Sequence, residues 1–223
     1  MSVTALPEYR TEVPASLADQ AYQQLRDRLT VLEIRPGAMI HDAHLATELG
    51  IGRTPVREAL KRLETDHLVV SYPRRGTFAT QVDITALSDV SELRRNLEPL
   101  AAHKAALAAP PAVRQQMHAL VHTLGDLSGG EPTNRAFMRA DLTVHRLIYR
   151  AAGNAHLEET LVRLDNLATR IWCLVLDRVP TVSAHVHEHV GLLEAIAAGR
   201  ADEAADLALE HVTSFERTMR TVL

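Results

Sequence analysis

What most constrains the fold is a change of pattern at Asp83. Beyond it, apolar residues recur at helical spacing through six segments, at about 84–108, 111–128, 133–152, 155–177, 181–199 and 201–222. No stretch there alternates as a half-buried strand would. Breaks at Pro110-Pro111, Gly129-Gly130, Gly153-Asn154, Pro180 and Gly199 separate the segments. This predicts helices burying one face each against other helices, in an antiparallel six-helix bundle. Pro99 falls inside the first segment, where its missing N–H predicts a kink or a division. Composition agrees: 4% aromatic residues, with 10 Gly and 10 Pro in 223 residues, is poor material for a β-sandwich.

Before Asp83 the elements are shorter and mixed. Residues 1–15 carry two prolines and no period, and read as a flexible arm. Ser16 is placed as an N-cap for a helix to about Leu32, with Leu17, Ala21, Leu25, Leu29 and Leu32 on one face. Pro36-Gly37 ends it. A short helix over 42–49 buries Leu45, Ala46 and Leu49 and stops at Gly50. Thr54-Pro55 opens a third helix to near Asp66, with Val56, Ala59, Leu60 and Leu63 inward. Leu68–Tyr72 and Thr77–Val82 read as two strands around Pro73-Arg74-Arg75-Gly76. Three helices and a two-stranded wing make a winged helix-turn-helix. The chain is therefore mainly α: a DNA-binding unit at 16–82 and an all-helical unit at 83–223.

The net charge of −4 argues against nucleic acid only if charge is spread evenly. Residues 53–80 hold Arg53, Arg57, Lys61, Arg62, Arg74 and Arg75 against Glu58, Glu64 and Asp66, a local excess of three positive charges. Arg53 and Arg57 share a face at the start of the third helix, where a bidentate guanidinium can read guanine in a major groove. Thr54 suits a phosphate. Arg74, Arg75 and Gly76 sit at the wing tip, within reach of a minor groove or backbone. The alternative for these cations is a solvated helix face and an edge turn.

The order of residues in "IRPGAMIHDAHLATELGIGRTPVREALKRLETDHLVVSYPRRGTFAT" resembles the N-terminal domain of GntR-family transcription regulators, over about Ser16 to Gln81. Pro36-Gly37, Leu45-Ala46, Leu49-Gly50, "RTPVREAL" and "PRRGTF" carry the resemblance. It implies operator contacts for Arg53, Thr54, Arg57 and Gly76. One departure is Asp42-Ala43, where many members have an acidic residue followed by Arg. That implies one missing contact and a larger share for Arg74 or Arg75.

The helical unit has polar residues on apolar faces. Phe137, Asp141, His145, Ile148 and Ala152 share one face, as do Val182, Val186, His189, Leu193 and Ile196, and Ala204, Ala208, His211, Phe215 and Met219. A carboxylate on such a face needs a partner. Any one of these histidines alone reads as a hydrogen-bonded core residue. Asp141, His145, His189 and His211 together suit a divalent metal, zinc first, with nickel or manganese as alternatives. His187 lies about 200° from the stripe and reads as exposed, and His185 is a weaker candidate. Glu188 is placed pointing elsewhere. Metal affinity is expected to fall as pH drops through the histidine range near ~6.5.

The segments "ELRRNLEPLAAHKAA", "DLTVHRLIYRAAGN" and "EHVGLLEAIAAGRADEAADLALEH" resemble the FCD effector domain of the FadR subfamily, over nearly all of 83–215. The resemblance implies metal ligands at Asp141, His145, His189 and His211 and a small carboxylate effector beside them. Arg94 matches the arginine of the family's "R-x-x-L-E" segment and would answer the effector's charge. Its alternative is a surface pair with Glu98 or Glu92. Asn166, Arg170 and Trp172 are candidates for the same cavity. The reading that results is a homodimeric repressor binding operator DNA under control of a small organic acid. A metal-dependent hydrolase using the Asp/His3 site is the alternative. One cysteine, Cys173, no leader-like start and no apolar run near ~18 residues point to a cytoplasmic protein without a membrane partner.

Overall fold

The computed structural model describes residues 16–129, 134–178 and 182–223. The arm read at 1–15, Gly130 and Pro180 lie outside them. The first core forms around α1 (Leu17–Thr30), α2 (Asp42–Leu49) and α3 (Arg53–Thr65). Ser16 caps α1 reciprocally with Asp19: the Asp19 N–H donates to the Ser16 hydroxyl, and the Ser16 N–H donates to the Asp19 carboxylate, both at 3.1 Å. The expected stripe of α1 holds for Ala21, Leu25 and Leu29, which are buried. Leu17 is exposed, and Leu32 lies past the helix end with a positive φ. Gly50 ends α2 at φ 64°, a left-handed cap that lets the Ile51 N–H reach Ala46 O at 3.0 Å. In α3, Val56, Ala59, Leu60 and Leu63 are all buried, and a valine or leucine side chain contributes about 1.5–3 kcal/mol when fully buried.

The wing has three strands rather than two. β1 (Met39–Ile40), β2 (Val69–Tyr72) and β3 (Gly76–Ala79) form an antiparallel sheet in the order β1-β3-β2, with Met39 opposite Phe78 and Tyr72 opposite Gly76. β1 has two residues and no alternation of its own; only its pairing to β3 makes it a strand. β3 ends at Ala79, short of the expected Val82.

The second core is built by α4 (Leu87–Ala108), α5 (Pro111–Gly129), α6 (Asn134–Ala151), α7 (Ala155–Val175), α8 (Val182–Ala197) and α9 (Ala201–Val222). Asn154 caps α7, accepting from the Leu157 N–H at 3.2 Å. α4 packs along α9 and against α6 and α7. It runs undivided through Pro99, because buried residues on both sides of the proline, Val90 and Arg94 before it and Ala101, Ala102 and Ala105 after it, hold both halves in the same packing.

The two cores meet through polar contacts. Arg163 on α7 pairs with Asp66 at 3.3 Å, and Arg146 on α6 pairs with Asp27 of α1 at 2.6 Å. The Thr30 hydroxyl donates to Asn166 Oδ1 at 3.3 Å. Arg170, only 2% exposed, donates to Thr80 O at 2.6 Å and Leu29 O at 3.4 Å.

Candidate DNA interface and buried polar centre

The first turn of α3 presents Arg53, Thr54 and Arg57 to solvent. Both arginines converge on Asp42 at the start of α2: Arg53 Nη2 lies 3.2 Å from Asp42 Oδ1, and Arg57 Nε donates to Asp42 Oδ2. The Arg57 hydrogen bond, and then that of Arg53, hold the Asp42 carboxyl below the usual carboxylate range. Sequence reasoning saw this position only as the neighbour of a missing arginine. The i, i+4 spacing of Arg53 and Arg57 was visible, but an acid on a preceding helix was not. Asp42 holds the two forks side by side on the exposed face, which reduces the rotamer freedom each must lose on contact.

At the wing tip Arg74 and Arg75 are exposed. The Arg75 N–H closes a turn to Tyr72 O at 3.0 Å, with Pro73 second and Arg74 third at φ 63°. Glycine is the usual residue at a positive φ in that place. Gly76, at φ 99°, holds a backbone conformation that side-chain-bearing residues rarely adopt, and a Cβ there would sit 3.0 Å from Met39 Cε. Arg74→Gly is expected to raise stability by about 1 kcal/mol by relieving the left-handed conformation. Chemical denaturation reads this directly, and a lowered midpoint would show that the arginine is not strained there.

The polar centre lies inside the helical core. α6 supplies Asp141 and His145 one turn apart, α8 supplies His189 and α9 supplies His211, and none is more than 3% exposed. One ligand atom from each falls within 4.8 Å of the others. His145 Nε2 and His189 Nε2 are 3.2 Å apart, and Asp141 Oδ1 is 3.9 and 3.8 Å from them. The first distance suits an N–H···N hydrogen bond and also the ~3.3 Å edge of a tetrahedron with metal–nitrogen bonds of about 2.0–2.1 Å. Asp141 Oδ1 and His211 Nε2, beside this pair, are both buried without a hydrogen-bond partner. Two orphaned acceptor-capable atoms facing two imidazole nitrogens fit a divalent cation.

A second layer orients these groups. His145 Nδ1 meets Tyr149 Oη at 3.1 Å and Glu98 Oε2 at 3.4 Å, and His211 Nδ1 meets Glu188 Oε2 at 2.9 Å. Carboxylates behind imidazoles fix the ring orientation and raise ligand basicity. Glu188 therefore does not point away, as its helical phase suggested; its long side chain reaches from the edge of α8 to His211. Burial opposes a charge on His145, yet Glu98, Asp165 and Asp141 outweigh it and push its pKa up to about 9. Burial first, and then the charge of His145, drives His189 well below the histidine range. His211 is lowered by burial and by neighbouring His185. His187 is exposed.

Arg94 is buried rather than on the surface. Its Nε donates to Glu98, and its Nη2 lies 3.5 Å from Asp165 Oδ1. Trp172, the ring of His185 and Phe215 line a small cavity of about 60 Å3 beside His211, together with Glu188 and Ser214. Asn166 and Arg170 do not join them. They face the opposite way, into the junction with Thr30, Leu29 and Thr80. Helical phase marks both as buried but cannot tell which neighbour covers them.

A winged helix with an exposed arginine face, joined to a helical domain with a buried polar cavity, defines a DNA-binding regulator with a sensing domain. The model of the bacterial regulatory proteins of the gntR family matches residues 17–79, and that of the FCD domain matches 89–214. The chain belongs to the GntR family of bacterial regulators and carries an FCD domain. It is 30% identical over 185 residues to the Nta operon transcriptional regulator of Aminobacter aminovorans, covering 80% of this chain and 82% of that one. It is 20% identical to the transcriptional repressor RspR of Escherichia coli K12, over 91% and 89% of the two chains. Among solved structures, E. coli McbR/YncC shares the fold with a TM-score of 0.77 at 21% identity, over 92% of this chain and 98% of that one. GntR regulators bind operator DNA, and FCD domains bind small-molecule effectors. The protein is a transcription regulator and not an enzyme, which removes the hydrolase alternative. No helix among the described residues is long and apolar enough to cross a membrane.

Proposed function

We propose that the protein is a homodimeric, metal-dependent repressor of the cytoplasm whose operator affinity changes when a small organic acid binds in the helical domain. Residues 16–82 read DNA, and residues 83–223 sense and dimerise. Arg53 and Arg57 enter the major groove already paired by Asp42, and Thr54 meets a phosphate. Arg74, Arg75 and Gly76 contact the backbone or the minor groove. Asp141, His145, His189 and His211 hold one divalent ion, zinc before nickel or manganese. The orphaned Asp141 Oδ1 and His211 Nε2 are the observation that carries this part.

A bound divalent ion supplies an electrophilic point for one carboxylate oxygen of the effector. Arg94 answers the remaining charge with a planar fork suited to carboxylates. The cavity of about 60 Å3 favours an acid of few heavy atoms. Binding shifts the repressor only through different affinities for its two domain arrangements. The dimer face is supported by Leu93, Leu100 and Leu107, spaced by seven along α4 and 50%, 47% and 66% exposed. A second copy of the chain, presenting the same heptad stripe, fits a face of this kind.

The test is an operator titration of Arg57→Ala. The expected loss is about 1–3 kcal/mol in specific binding with unchanged circular dichroism, at two chains per duplex in both proteins. Unchanged affinity removes Arg57 from the contacts, and one chain protecting one half-site contradicts the dimer. The same titration, run with small acids before and after chelation, reads effector control.

A further inference from the structure

A second cavity lies between the two cores, away from the histidines. It is a cleft of about 390 Å3 between α1, α5 and α6, with Gln23, Arg26, Asp27, Thr143, Arg146 and Arg150 among its lining residues. Three guanidinium groups thus face one carboxylate, a local excess of two positive charges. Asp27 Oδ1 is shared between Arg26 Nε at 3.3 Å and Arg146 Nη1 at 2.6 Å. That one carboxylate is already divided between two forks. Arg146 Nη2 finds only Asn166 Oδ1 at 3.5 Å, and Arg146 Nε is buried without any hydrogen-bond partner. Arg150, one turn further along α6 and exposed, makes no ion pair among the described residues.

A buried, unpaired guanidinium donor is costly, and crowding two further cations beside it raises that cost. The group that removes it is an anion with several acceptor oxygens. Arginine forks match carboxylate and phosphate geometry two bonds at a time, and Gln23 adds an amide at the rim. Two negative charges would neutralise the local excess, and the cleft's volume limits the ligand to a small molecule.

We propose that this interdomain cleft is a second anion site, separate from the Asp/His3 cluster, that takes a small dianion of the phosphate monoester or dicarboxylate type. The ligand bridges Arg26 on α1, which belongs to the DNA-reading core, to Arg146 and Arg150 on α6. Arg146 directly follows His145 in the chain, so α6 carries one group of each site on adjacent residues. A dianion in the cleft therefore acts on the contact between the reading domain and the helix that also supplies Asp141 and His145. It shifts operator affinity to the extent that the two domain arrangements bind it differently.

The test is calorimetric titration of the full chain with inorganic phosphate and, separately, with succinate, at ionic strength held constant with sodium chloride. Wild type is compared before and after treatment with a chelator. Arg150→Gln and Arg26→Gln are compared with Arg217→Gln, an equal loss of charge at an exposed position on α9. The expected result is one site per chain for at least one probe, with Kd below about 5 mM. Binding persists after chelation, weakens at least about tenfold in the two cleft variants, and stays within about twofold of wild type in Arg217→Gln. Tighter phosphate assigns the phosphate class, and tighter succinate assigns the dicarboxylate class. The proposal is overturned by absence of heat for both probes, by loss of binding on chelation, which would place the anion at the histidines, or by equal weakening in Arg217→Gln. Because Arg150 is exposed, its substitution leaves the fold intact, and circular dichroism confirms that in each variant.

Discussion

Arg94→Met destabilises the protein by about 3–5 kcal/mol at neutral pH, the range for removing one partner of a buried charge pair. Arg94 and Glu98 are each 3% exposed, and Asp165 and Asp141 are as deeply buried. Without the guanidinium, Glu98 and Asp165 lose the cation they share. The pH dependence gives the cause. Burial would raise the Glu98 carboxyl, but the charge of Arg94 and then that of His145 bring it down to about 2. A carboxyl whose folded pKa lies below its unfolded value of 4.5 contributes stability above pH 4.5, and loses it as pH falls toward 2. In Arg94→Met that contribution is gone and the Glu98 pKa rises. The deficit is therefore largest near pH 7 and narrows as Glu98 takes up its proton in the acid range. Urea denaturation of both proteins at pH 7 and near pH 3 measures it, the second value lying inside the window between the unfolded pKa of 4.5 and the folded one of about 2. A deficit below about 1 kcal/mol, or one unchanged between the two pH values, would mean that Arg94 does not hold this cluster together.

The features legible in the sequence were those set by local periodicity. Val56, Ala59, Leu60 and Leu63 follow a 3.6-residue repeat that needs no partner to be recognised, and all are buried. Asp141, His145, His189 and His211 stood out because polar groups interrupted apolar stripes, and burial brings those four together. What escaped notice was decided between elements. Two-residue β1 exists only through its hydrogen bonds to β3. Asp42 acquires its importance from arginines eleven and fifteen residues later. Glu188 is off the apolar stripe of α8, yet four side-chain bonds carry its carboxylate back to His211. Arg170 and Asn166 are buried by α1 and the segment after the wing, a docking that helical phase on α7 cannot specify. Pro99 leaves α4 undivided for a related reason: a propensity cost of about 3 kcal/mol is outweighed when both halves of a helix are packed.

His189→Ala combined with His211→Ala abolishes metal binding and effector response together while operator binding remains. Wild type is expected to carry one divalent ion per chain, with affinity falling as pH drops because all four ligands bind the ion deprotonated. The double variant removes two imidazoles and leaves Asp141 and His145, too few for a closed site. It also frees Glu188 from His211, a modest change because that carboxylate is 36% exposed. The DNA-reading core has its own buried residues, none of them contributed by α8 or α9, so its fold does not depend on the lost groups. His187→Ala is the internal control, since His187 is exposed on the same helix as His189. Metal content by mass spectrometry, alongside operator release by small acids, checks the outcome. Full occupancy in the double variant, or equal metal loss in His187→Ala, would remove the four residues as a ligand set. Retained acid response after complete metal loss would instead separate the effector from the ion.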